Sequence, residues 1–188
     1  MGVIGDYLTS RERPLTDEEI EDAKRVYQGT IKYRRVSIAN DLGVGGRKWT
    51  EPAGGKMDLY VIHMGPLGFA GTTDPDMRAR LIHELCHVWQ GMHHLSAWSY
   101  VVGSVVSQGL ASVFEGSVKA AYKYKPGDLW GEYNYEQQAH IVEDWYRAGL
   151  PTSGPLYPYI VGNIRCPIRS WIGETATEIG VGASAIKG

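Results

Sequence analysis

The residues with the most chemical potential in this chain form the run His83-Glu84-Leu85-Cys86-His87. Histidines four apart on a helix lie one turn apart on one face, so both imidazoles can reach a single metal ion. A glutamate directly after the first histidine leans toward the same cleft. There it can take a proton from a water that the ion polarises, the arrangement used by zinc peptidases. So short a motif can arise by accident, and its surroundings must supply what is missing. Catalytic zinc takes three protein ligands at about 2.0–2.2 Å for nitrogen and oxygen donors and keeps one position open.

Two residues compete for the third position. Glu136 lies in the run Asn134-Tyr-Glu-Gln-Gln-Ala139, 49 residues after His87, on what reads as a second helix. There Glu136, His140 and Glu143 share one face, Ile141 and Trp145 point roughly the other way, and Ala139 lets two helices approach closely. The rival, His93, stands where a metzincin pattern places its last histidine. That pattern needs glycine at position 90, where this chain has Gln90, and a later methionine, yet no methionine follows Met92. Glu136 is therefore the favoured ligand. Glu84 is the expected general base. His140 reads as an oxyanion donor, an outer partner, an alternative ligand or an ordinary surface residue. Glu143 could accept from a ligating imidazole. Tyr133, Tyr135 and Tyr146 are unranked oxyanion donors, and Cys86 reads as a small packed residue.

The elements that must position these groups are legible in part. Asp74-Pro75 is a helix start: a carboxylate cap, then the residue favoured at the first helical position. From there Met77, Leu81, Ile82, Leu85, Val88 and Trp89 fall within an arc of roughly 140°, with only Arg78 interrupting. His83 and His87 fall opposite, beside Asp76 and Arg80, so one side is built for a core and the other presents the histidines to a cleft. Asn134 with Gln137 forms a capping box for a helix from Tyr135 to about Arg147, and Thr16 with Glu19 another for a helix ending at Gly29. Tyr33 to Ile38 and Met57 to Met64 read as strands. Gly43, Gly45 and Gly46 fit no phosphate-binding spacing and read as a surface loop. From Pro151 the chain is punctuated by Pro and Gly, and 180–188 reads as a flexible tail.

With 188 residues the chain fits one domain, 1–188 with a core over about 57–165, large enough to fold without disulfides. A net charge of −2 without a Lys or Arg stripe argues against nucleic acid as partner. Two cysteines are too few for a disulfide framework. The charged first residues hold no apolar stretch of a secretory signal, so synthesis in the cytoplasm and export by a specialised system is the expectation. Tyr100 to Tyr122 is rich in small residues, but its charges and glycines favour an internal helix or hairpin over a stable membrane span.

The pairing of His83-Glu-Leu-Cys-His-Val-Trp-Gln90 with Tyr133-Asn-Tyr-Glu-Gln-Gln-Ala-His-Ile-Val-Glu-Asp-Trp-Tyr146 resembles bacterial zincin-like proteins often encoded near Rhs and type VI secretion components. More distantly it resembles the gluzincin clan. The likeness covers roughly residues 57–165. It implies an α+β zincin-like fold, a small sheet packed on the motif helix beside a second ligand-bearing helix. It further implies Zn2+ held by His83, His87 and Glu136, with Glu84 as base. Thermolysin-like enzymes carry an Asp four residues after the ligand Glu, and this chain has His140 there. The expected function is a zinc metallopeptidase acting on protein or peptide, delivered as an effector with secretion-apparatus or immunity-protein partners. Two alternatives are a zincin-shaped binding or accessory module with little turnover and an amidase of cell-wall peptides.

Overall fold

The computed structural model describes residues 11–42, 49–52, 59–93 and 123–166. The expectations for the Gly43–Gly46 loop, for 100–122 and for 180–188 fall outside them.

A four-stranded sheet is ordered β1-β2-β4-β3, from β1 (Glu12–Pro14), β2 (Val36–Ala39), β3 (Trp49–Pro52) and β4 (Tyr60–His63). β2 and β4 run parallel, with Val36 beside Tyr60, and the two edge strands pair antiparallel to them. All four residues of β4 are buried, as suits a strand covered on both faces. The arginines at Tyr33–Arg35 form a 3-10 turn rather than the start of a strand, because Arg34 keeps its charge in water and pairing begins at Val36.

Helix α1 (Asp17–Tyr27) carries the expected capping box: Thr16 accepts from the Glu19 backbone N–H and Glu19 reaches back to Thr16. Arg13 of β1 then grips the Glu19 carboxylate through both terminal nitrogens at 2.8 Å. A short helix α2 (Gly65–Ala70) leads to the motif helix α3 (Pro75–His93). Close to the sheet, Gly91 of α3 lies so near Tyr60 that a Cβ there would stand 2.7 Å from its ring and hydroxyl. Only glycine admits that approach.

Helix α4 (Tyr135–Arg147) begins at Asn134 with its predicted capping box and ends at Gly149, whose φ of 84° takes the left-handed conformation of a helix terminus. Its apolar side buries Ile141, Val142 and Trp145, worth roughly 1.5–3 kcal/mol for each large side chain. After it come a single turn, α5 (Tyr157–Tyr159), and a π-helical turn over Ile160–Ile164. Ile160 and Ile164 are fully buried, and the Trp89 indole N–H donates to the Ile164 carbonyl at 3.1 Å. Among the described residues no helix is long and apolar enough to cross a membrane.

One expectation needs correcting. The motif helix does not turn an open face to a cleft: from Ala79 to Gly91 every residue except Arg80 is buried, with His83 at 0% and His87 at 7% exposure. α4 lies across that face, and the fully buried Ala139 allows the close contact. The polar stripe of one helix thus meets the polar stripe of the other, which hydrophobic periodicity cannot reveal for either alone.

Candidate metal centre

His83 and His87 sit one turn apart on α3, their ring centroids 5.0 Å apart. Glu136, in the first turn of α4, reaches between them. Its Oε2 lies 3.3 Å from His83 Nε2 and its Oε1 3.4 Å from His87 Nε2. Two donors about 2.0–2.1 Å from one tetrahedral metal stand about 3.3–3.4 Å apart, so each imidazole is at ligand-to-ligand spacing from one of the two Glu136 oxygens. These contacts are poor hydrogen bonds. Among the described residues neither ring nitrogen of His83 has a hydrogen-bond partner, nor has Glu143 Oε2, and all three atoms are sealed from water. A buried polar atom left so costs about 1–3 kcal/mol. A cation on His83 Nε2 would remove that cost, and the Glu136 side chain, 42% exposed, leaves the centre a route to solvent. The donor set fits a metal ion.

Electrostatics point the same way. Burial pulls the His87 pKa down, but the Glu136 carboxylate more than reverses this and pushes it up to about 9 with no cation present. Burial would raise the Glu136 carboxyl, yet His87 and His83 hold it far below the ordinary carboxylate range. Each group partners the other where a shared cation would partner both.

The two imidazoles are oriented by different means. His83 Nδ1 lies 3.0 Å from Glu143 Oε2, at hydrogen-bond distance without a hydrogen bond's alignment. Arg147 holds Glu143 Oε1 through two nitrogens at 2.9 and 3.0 Å and also pairs with Asp76. Burial raises the Glu143 carboxyl, but His83 and Arg147 bring it down to about 2. On the other side, His87 Nδ1 meets Gln90 Oε1 at 2.8 Å.

Glu84 is 1% exposed and held at both oxygens. Arg80 Nη2 pairs with Oε1 at 2.9 Å, and the Thr50 hydroxyl of β3 donates to Oε2 at 3.0 Å. The sequence reading missed Thr50, Arg80 as a partner, and Gln90. Arg80 was detectable as a helical i,i+4 pair with Glu84; nothing in the chain announced Thr50.

His140 stacks edge-on to His83 at 4.8 Å and offers a second grouping, His83, His140 and Glu143. Its separations fit a metal less well: Glu143 Oε2 is 3.0 Å from His83 Nδ1 but 3.7 Å from His140 Nδ1. Burial and the nearby His83 lower the His140 pKa. His93 lies elsewhere, its Nε2 donating to the Thr30 carbonyl at 2.9 Å and its ring packed on Trp89. Cys86 is fully buried, and desolvation pushes its thiol up, as for an inert packed residue. The Tyr133 hydroxyl, proposed as an oxyanion donor, is committed to the Lys125 carbonyl at 2.7 Å and to Tyr159. That of Tyr146 donates to Asp22 on α1. Neither is directed at the three donors; among the described residues the Tyr135 hydroxyl has no such commitment.

No protein-family model matches the chain. In an alignment of 143 residues that covers 71% of the chain, it is 30% identical to the type VI secretion system spike protein VgrG2b of Pseudomonas aeruginosa. It spans only about an eighth of that protein, 13% of its length. Among solved structures it matches the effector domain of Pseudomonas aeruginosa VgrG2b with a TM-score of 0.54 and 25% identity, covering 81% of this chain and 83% of that one. The chain is therefore similar, in sequence and in fold, to the effector domain of a secretion spike protein.

Proposed function

We propose that this protein is a zinc-dependent hydrolase of peptide bonds with a zincin-like fold, carried as an effector by a type VI secretion apparatus. The observation that carries the chemistry is the convergence of His83, His87 and Glu136, with one Glu136 oxygen 3.3 Å from His83 Nε2 and the other 3.4 Å from His87 Nε2, and Glu84 next to the first ligand. The likeness to the effector domain supports the biological setting. Its partners are then a protein or peptide substrate, the secretion apparatus and, in an antibacterial setting, an immunity protein.

His83, His87 and Glu136 would hold the zinc ion. Zinc so held supplies Lewis acidity and lowers the pKa of water it binds to about 7. Glu84 is the base. Thr50 fixes its Oε2, so Oε1, which faces the one-third exposed Arg80, is the oxygen able to take a proton from the attacking water and return it to the leaving amine. Glu143 places a carboxylate 3.0 Å from His83 Nδ1, where its charge favours a cation on the far nitrogen, and His140 stands beside them at 26% exposure, where it can meet a substrate carbonyl. The buried surroundings exclude bulk water and strengthen each of these interactions.

One observation favours a second reading, a binding module with little turnover: Arg80 occupies the base oxygen the reaction needs. Zinc content and hydrolysis of casein and cell-wall peptides, measured for the native chain and Glu84→Gln, separate the two. A hydrolase binds about one zinc in both proteins and loses roughly 10²–10⁴-fold in rate on substitution. Equal inertness of both zinc-loaded proteins on every substrate would overturn the hydrolase reading. Toxicity on periplasmic or cytoplasmic expression, abolished by Glu84→Gln, is expected of an effector.

A further inference from the structure

Behind His87 lies a chain of two buried side-chain amides that no metal-site motif includes. Gln90 is fully buried and Gln138 is 6% exposed. Gln138 Nε2 donates to the carbonyls of Trp130 and Tyr133, each at 3.1 Å. Carbonyls only accept, so this end of the amide must be the NH2 group and Gln138 Oε1 must be an acceptor. Gln90 Nε2 lies 3.0 Å from that Oε1 and 3.0 Å from the Tyr135 carbonyl, again two acceptors. Gln90 is oriented in its turn, and its Oε1 faces His87 Nδ1 at 2.8 Å. An acceptor there requires the imidazole proton on Nδ1. With Nδ1 keeping its proton, the one given up when a metal binds comes from Nε2, the nitrogen aimed at Glu136, which then presents its lone pair.

We infer that Gln90 and Gln138 are positioning residues that set the tautomer of His87 for metal binding, with the polarity of the whole chain dictated by three backbone carbonyls. This rests on the proposed metal centre and adds to it the group that presents one ligand. The relay crosses from α3 to α4, since Gln90 belongs to the first and Gln138 to the second. The same contacts that dock the Glu136 helix therefore also orient His87, so the geometry of two ligands is linked through one hydrogen-bonded path. Position 90, where a metzincin would have glycine, carries here the side chain that makes this possible.

The test uses zinc itself, its affinity read by chelator competition. Gln90→Met keeps the length and apolar fit but offers no oxygen; affinity falls by roughly 10–100-fold, the usual effect of losing a ligand's outer partner. A purely packing role predicts unchanged affinity in Gln90→Met, because methionine fills the same volume. A Gln90→Met protein that binds zinc as tightly as the native chain overturns the inference. Nitrogen-15 spectra of the zinc-loaded native protein give a readout that needs no variant: the His87 ring proton is expected on Nδ1, and finding it on Nε2 overturns the relay. A native chain with no zinc affinity overturns the metal centre and the relay together. Zinc binding lost in Glu136→Ala but unchanged in Gln90→Met overturns the relay alone.

Discussion

The two histidines of the centre are held by contrasting surroundings. On the His83 side the supports are charged: Glu143 facing Nδ1, Arg147 behind Glu143, and Asp76 behind Arg147. On the His87 side they are neutral amides ending on backbone carbonyls. The charged path leads outward to an Arg147 side chain 40% exposed, while both amide side chains of the other path are buried. Charges near the surface are screened and individually weak, whereas buried amides are directional and costly to unpair. The difference suggests a division of labour: the His83 flank balances charge, and the His87 flank fixes geometry.

The largest expected effect is common to both flanks. Glu136→Ala removes a donor shared by both imidazoles, and zinc affinity should drop by more than the roughly 10–100-fold that an outer partner is worth. Chelator competition checks this, and an unchanged affinity would mean that His140 and Glu143 supply the remaining donors. Next in size is the contrast between flanks. Glu143→Gln, which keeps shape but removes charge, should weaken zinc less than Gln90→Met does. Equal losses would erase the distinction drawn here.

A pH series sharpens the comparison further. With no cation bound, His87 titrates at about 9, above its ordinary 6.5, so at neutral pH zinc must displace a proton from it. Zinc affinity should rise about tenfold per pH unit toward pH 9 and then level off, with about one proton released per ion near pH 7.5 in calorimetry across buffers. The sign for stability is opposite. A raised His87 pKa stabilises the metal-free fold fully below about 6.5, and this is lost as pH rises through about 9. Glu136 and Glu143, both lowered from 4.5, stabilise it above that value and lose their contribution in acid. Metal-free thermal unfolding should thus be most resistant between about pH 5 and 6.5, and a monotonic rise to pH 9 would contradict the pairing. The smallest effect belongs to the outermost group: Arg147→Ala should cost less than about 1 kcal/mol in denaturant unfolding, given its exposure.

The helices were legible because their signals are local. Thr16 with Glu19, Asp74-Pro75 and Asn134 with Gln137 each mark a start with residues a few positions apart, and each helix begins there. The shared face of Glu136, His140 and Glu143 followed from helical periodicity. The short strands were not legible. Glu12–Pro14 and Trp49–Pro52 are three and four residues long, and partners distant in sequence extend them. Thr50 was missed for that reason: its contact with Glu84 exists only once β3 lies against α3. The burial of the histidine face escaped notice similarly, since it depends on two helices meeting. Gln90 and Gln138 look like ordinary polar residues until carbonyls from a third segment orient them.

The central claim, that His83, His87 and Glu136 together grip one zinc ion, is tested most directly by X-ray absorption at the zinc edge of the loaded protein. The account predicts four nitrogen or oxygen neighbours at about 2.0–2.1 Å with scattering from two imidazoles. A third imidazole in the spectrum, or a sulfur neighbour from Cys86, would contradict it.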